Sequence, residues 1–250
     1  MISRIRSIKR VISATAAVAA TLFMLSTGAA ASDKNLLRAV VGIETTISPD
    51  ARTAGILGTQ RQGSGVVIDD EGLVLTIGYL MLEADGAVIT GPSGKAVPAT
   101  VVAYDSETGL GLLRLMQKLD VVSLRLGDSS QLKKRDQVII ASRGGPQPLS
   151  AAQVVSRRIF SGYWEYLLER AIFTAPPHGF HSGAALIGRD GRLLGIGSLL
   201  VNDAVAPNVP SPGNMFVPVN GLKPVLADLL QSGRRSGRKR PWIGANTVEA

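Results

Sequence analysis

A chain of 250 residues with 45% hydrophobic and 18% charged side chains can build a packed core, which excludes a mainly disordered protein. It has no cysteine, so disulfides, thiolate metal sites and cysteine nucleophiles are excluded together. The net charge of +8 shrinks on inspection: residues 1–31 hold four Lys/Arg and no acid, and the remainder carries 23 basic against 19 acidic side chains, a mild +4 that implies no nucleic-acid partner.

In chain order, a basic head (Arg4, Arg6, Lys9, Arg10) precedes an apolar run from Val11 to about Leu25 and the small residues Ala29-Ala30-Ala31. This is the pattern of a secretory signal peptide over 1–31, with a periplasmic or extracellular destination. An uncleaved membrane anchor is the alternative. Short β-segments separated by turns follow. Strands are expected at Leu36–Ile47 (with a helical opening as the alternative for its first residues), Ser64–Ile68, Leu73–Thr76, Ala87–Thr90, Val97–Tyr104 and Leu110–Leu115, with a Gly/Gln-rich loop over Thr53–Gly63. Asp69-Asp70-Glu71-Gly72 reads as a hairpin turn, because Asp and Gly tolerate left-handed backbone angles. A second series covers Gln137–Ser142, Gln153–Phe160, Ala171–Thr174, Ala184–Ile187, Leu193–Val201 and Met215–Val217. The period then changes. Leu222, Val225, Leu226, Leu229 and Leu230 fall at helical spacing, so an amphipathic helix is expected over 220–231, stopped by Gly233. The basic stretch after it, with Arg234, Arg235, Arg238, Lys239 and Arg240, reads as a solvated linker or a contact for an anionic surface.

Several segments together resemble the HtrA/Deg branch of the trypsin-like serine proteases. Gly63-Ser64-Gly65-Val66-Val67-Ile68-Asp69 is similar to that family's G-S-G-V-I-I-D strand, and Leu126-Gly127-Asp128-Ser129 to its L-G-D-S stretch. Gly191 to Gly197 resembles the hairpin after the nucleophile. Phe216-Val217-Pro218 resembles the start of the closing helix, and Pro241-Trp242-Ile243-Gly244 a PDZ start. The resemblance implies an all-β fold of two six-stranded-type barrels, about 36–126 and 136–219, within a domain over 32–232 with a C-terminal helix. Residues 233–250 are then a basic linker and a truncated PDZ-like start, with no complete PDZ domain. It also implies a polypeptide or partner protein as ligand, no cofactor, and room for a homo-oligomer.

The resemblance places Tyr79 of Leu75-Thr76-Ile77-Gly78-Tyr79 in the slot of the catalytic His, and Gly109 of Thr108-Gly109-Leu110 in that of the Asp. Ser182 of His181-Ser182-Gly183 falls in the nucleophile's slot, with Phe180 where a Gly helps to form the oxyanion hole with Ser182. A phenol holds its proton at neutral pH and cannot shuttle one as imidazole does, and glycine supplies no carboxylate. Asp105 and Glu107 are the nearest acids in sequence. The chain has two histidines only, His178 and His181, both within four residues of Ser182, so neither supplies a base from the first barrel. The expectation is a pseudoprotease that binds peptides or a partner protein. The alternative is an active serine endopeptidase with His178 or His181 as substitute base. Spacing gives no specific metal site.

Overall fold

A computed structural model describes residues 36–162 and 166–236. Twelve strands close into two antiparallel barrels. The first contains β1 (Val40–Ile47), β2 (Gln60–Val67), β3 (Leu73–Ile77), β4 (Ala84–Thr90), β5 (Ala96–Asp105) and β6 (Leu110–Leu115), in the order β1-β2-β3-β6-β5-β4. The second contains β7 (Gln137–Ala141), β8 (Leu149–Ser161), β9 (Leu167–Ala175), β10 (Ala185–Ile187), β11 (Leu193–Val201) and β12 (Gly213–Pro218), in the order β10-β11-β12-β9-β8-β7. The two six-stranded barrels are the fold class that the sequence implies. Alternation drives them: inward β-branched and aliphatic side chains such as Val41, Ile43, Ile89 and Leu113 fill the first core, and Ile140, Val154, Ile172 and Phe216 the second.

The Asp69–Gly72 turn forms as the residues suggest. The Asp69 carboxylate accepts the N–H groups of Glu71 (3.0 Å) and Leu73 (2.7 Å), while Gly72 takes φ +82°. Other expectations need correction. The Thr53–Gly63 segment is not a loop throughout: it contains α1 (Ala54–Leu57), and β2 starts at Gln60. Polar β2 residues conceal the strand, because Arg61 turns inward and is satisfied there by the carbonyls of Gly58 (3.2 Å), Tyr79 (2.8 Å) and Leu82 (3.0 Å). The single helix expected over 220–231 is broken. A 3-10 turn spans Val219–Gly221, and α2 (Leu226–Ser232) begins only after Pro224. Proline lacks an N–H to continue the ladder and disfavours helical backbone at Lys223. Gly233 then ends α2 in the left-handed conformation, φ +69°.

The barrels meet at Ser64. Its N–H donates to the Ser182 carbonyl (2.8 Å), its Oγ accepts from the Arg143 N–H (2.9 Å), and its carbonyl accepts from Thr76 Oγ1 (2.7 Å). A side chain at Gly183 would put Cβ 1.8 Å from that carbonyl oxygen. The Ser182 loop can therefore lie this close to the first barrel only with glycine at 183.

Candidate functional site

Tyr79 stands on a 3-10 turn, Gly78–Leu80, that follows β3 directly. Three contacts from outside fix the turn: the Gly78 N–H donates to the Gly109 carbonyl (2.7 Å), Arg61 donates to the Tyr79 carbonyl, and the Thr45 hydroxyl donates to the Leu80 carbonyl. Ser182 lies in the β9–β10 loop, held by Gly183 N–H to the Gly197 carbonyl (2.8 Å) and Ala184 N–H to the His181 carbonyl (2.9 Å). The fold thus brings two residues 103 positions apart into contact, with Tyr79 Oη 2.9 Å from Ser182 Oγ.

The second partner of Tyr79 decides the protonation pattern. Tyr79 Oη also lies 2.7 Å from the Ser198 carbonyl oxygen. A carbonyl can only accept, so the single phenolic proton points to Ser198. The Ser182 hydroxyl then donates to the Tyr79 oxygen. That oxygen already carries its proton, and a neutral phenol is a very poor acceptor of a second one.

The position of Gly109 is filled from elsewhere. Gly109 has φ +74°, and a Cβ there would fall 2.2 and 2.3 Å from the Tyr166 ring atoms Cδ1 and Cε1. The Tyr166 hydroxyl hydrogen-bonds to Ser198 Oγ. Ser198 therefore receives both tyrosines, one on its carbonyl and one on its side chain. Gly78 is similarly occluded, since its Cβ would lie 2.2 Å from the Tyr104 ring. Tyr104, Tyr166 and Ser198 carry no motif, and their part in the site shows only in three dimensions.

Neither nearby acid is available to the site. Asp105 is buried and bound by both arms of the Arg235 guanidinium, Nε to Oδ1 at 2.5 Å and Nη2 to Oδ2 at 2.7 Å, and by the Thr108 hydroxyl. Burial alone would raise its pKa, but the hydrogen bonds from Arg235 and Thr108 and the charge of Arg235 outweigh it and hold the carboxyl below its usual range. Glu107 lies 3.2 Å from the same guanidinium. Arg235 is thus engaged within the chain and is not part of a free anionic-surface contact. Arg238, Lys239 and Arg240 lie outside the described residues.

The structure does not bring His178 to Ser182. Its ring is buried, with Nε2 2.8 Å from Ser142 Oγ and Nδ1 2.9 Å from Ser150 Oγ, and its backbone exchanges hydrogen bonds with the Asn214 amide (2.6 and 3.1 Å). Burial, helped by the nearby His181, lowers its pKa. His181 donates from Nδ1 to the Gly179 carbonyl (3.2 Å), and burial lowers its pKa too. Among the described residues, neither imidazole hydrogen-bonds to Ser182, and no group of three or more His, Asp or Glu is gathered as for a metal.

Phe180 is half exposed, and its ring lies on Gly144-Gly145, where a Cβ at Gly145 would fall 2.1 Å from the ring. Phe180 sits at an ordinary, non-positive φ. Among the described residues, the N–H groups of Phe180 and Ser182 donate to no protein acceptor.

The trypsin-like peptidase domain family matches residues 63–196, more than half of the chain. The serine protease Do-like HtrB of Bacillus subtilis is 28% identical over 204 residues, covering 74% of this chain and 42% of that protein. The serine protease Do-like HtrA of Lactobacillus helveticus is 26% identical over 208 residues, covering 78% and 48%. This chain therefore spans under half of the length of these relatives. A solved structure of the HtrA-type protease AlgW with a tripeptide superposes at a TM-score of 0.63 with 22% identity, over 82% of this chain and 64% of that one. The double barrel and these matches agree with the motifs: the chain belongs to the trypsin-like peptidase domain family, as an HtrA/Deg-like member.

Proposed function

We propose that this protein is a pseudoprotease that binds extended polypeptide without cleaving it. The observation that carries this reading is the Tyr79 proton, directed to the Ser198 carbonyl while Tyr79 Oη faces Ser182 Oγ. Attack by a serine needs a base that takes its proton as the bond forms. Tyr79 takes none at neutral pH, Gly109 offers no carboxylate to brace a base, and His178 is tied to two serines. Losing such a base costs on the order of 10⁶ in kcat. No observation favours the rerouted-base alternative.

Binding draws on different atoms. Pairing between β10 and β11 ends at Ile196, whereas β12 continues along β11 to Val201. One edge of β11 after Gly197 thus has no strand partner among the described residues; its Ser198 carbonyl is already taken by Tyr79, so an added strand would pair beyond it. An extended peptide adds to such an edge through main-chain hydrogen bonds. Solved structures of HtrA-type AlgW with a tripeptide and with a decapeptide support a polypeptide ligand. The basic head, apolar run and Ala29–Ala31 support action outside the cytoplasm.

The test is calorimetric titration with a pool of unstructured peptides, followed by mass spectrometry of the mixture, for wild type and Ser182→Ala. Saturable binding with intact peptides in both is expected. Cleavage by wild type that disappears in Ser182→Ala would refute the reading.

A further inference from the structure

A buried ion pair lies behind the site and takes no part in the chemistry of Ser182. Arg235 reaches the first barrel from the C-terminal arm after α2. Its guanidinium grips Asp105 in a two-pronged ion pair whose carboxylate side chain is 1% exposed. The arm is folded back at a second point, where the Ser236 N–H donates to Asp228 of α2 at 3.1 Å. From Asp105 a short run of hydrogen bonds leads to Tyr79. The Asp105 carbonyl accepts the Gly109 N–H (2.7 Å), the Gly109 carbonyl accepts the Gly78 N–H (2.7 Å), and Gly78 opens the turn that carries Tyr79.

We propose that the C-terminal arm is a strap on this site. Seated on Asp105, Arg235 holds the Asp105–Gly109 loop in the shape that supports Gly78, so withdrawing the arm loosens the Tyr79 turn and its contact with Ser182.

The physical reason is the cost of an unpaired buried charge. Without the guanidinium, Asp105 retains the Thr108 hydroxyl and the Glu107 N–H at 3.4 Å, which is poor compensation for a carboxylate away from water. The loop relieves this by turning Asp105 outward. Doing so moves the Asp105 carbonyl from Gly109, and Gly109, at positive φ against Tyr166, has no room to follow without moving its own carbonyl. The inference is independent of whether Ser182 turns over substrate, because it concerns the support of the turn and not the chemistry.

Amide hydrogen exchange on the full chain tests it, in wild type, Arg235→Lys and Arg235→Gln. The reference is the set of β7 amides from Ile139 to Ala141, in the other barrel. The expected result is exchange at Gly78 and Gly109 about tenfold or more faster in Arg235→Gln, with the reference unchanged. Arg235→Lys keeps the charge without the fork and falls between. It also serves as the milder variant should Arg235→Gln fold poorly. Wild-type rates at Gly78 and Gly109 in both variants, or equal acceleration there and in β7, would overturn the proposal.

Discussion

Rebuilding the missing acid is the obvious attempt at restoring catalysis, and the structure argues that it fails for steric reasons before chemistry is reached. A side chain at Gly109 meets two costs. The residue sits at φ +74°, where an L-residue loses about 1–2 kcal/mol. Its Cβ would also lie 2.2 Å from the Tyr166 ring, an overlap that must push a well-packed aromatic aside at about 1–3 kcal/mol. Gly109→Ala isolates these costs from any charge, and a destabilisation of about 2–5 kcal/mol is expected. Tyr166→Ala removes the overlap. In that background Gly109→Ala should cost only the backbone share, about 1–2 kcal/mol, so the two substitutions are less than additive by about 1–3 kcal/mol. The assay is urea unfolding of wild type, both single variants and the double, read as midpoints at constant slope. Additive effects, or a Gly109→Ala change within about 0.5 kcal/mol of wild type, would refute the reasoning. The same geometry implies that Tyr79→His with Gly109→Asp recovers no casein cleavage while Tyr166 is present.

Three further outcomes follow from the site. Tyr79→Phe keeps the ring but removes the hydroxyl that joins Ser182 and Ser198 to the first barrel, and should cost about 1–2 kcal/mol in urea unfolding. No loss would mean that the hydroxyl does not tie the barrels. His178 has a folded pKa depressed by burial, so below the unfolded value near ~6.5 the unfolded chain binds a proton that the folded chain refuses. Stability should therefore fall as pH drops from about 6.5 toward the folded value. His178→Gln should flatten the unfolding midpoint over that window, leaving the contribution of His181, and an unchanged profile would contradict the assignment. Asp105 behaves in the same direction at lower pH. Its folded pKa is held down by Arg235 and Thr108 against burial, so its stabilisation is present above the unfolded value near ~3.9 and fades as pH falls through the folded one. Asp105→Asn should remove that component of acid unfolding, and retention of the full acid transition would count against it.

The strands were legible because alternation and turn chemistry act locally: Asp69 to Gly72 name their own turn, and the aliphatic runs name their strands, while their closure into two barrels came from the family resemblance. The start of β2 was not, because its inward residue is Arg61, satisfied by three carbonyls that come from other segments. Pro224 was a readable breaker that helical spacing on either side of it masked. At the site, the motif comparison singles out Tyr79, Gly109 and Ser182, and the fold joins the first and last. The residues that make the arrangement self-consistent were hidden. Tyr166 fills the space above Gly109, Tyr104 the space beside Gly78, and Ser198 hydrogen-bonds to two tyrosines, yet each is an ordinary residue in its own strand or loop. Arg235 gave no more warning, since its carboxylate partner lies 130 positions away and linker arginines are usually solvated.

The claim that Ser182 has no base is met most directly by its reaction with a fluorophosphonate probe at neutral pH, measured as a second-order rate for wild type and Ser182→Ala. The expected result is labelling of wild type at the same slow background rate as Ser182→Ala. Rapid, stoichiometric labelling of wild type, abolished by Ser182→Ala, would contradict it.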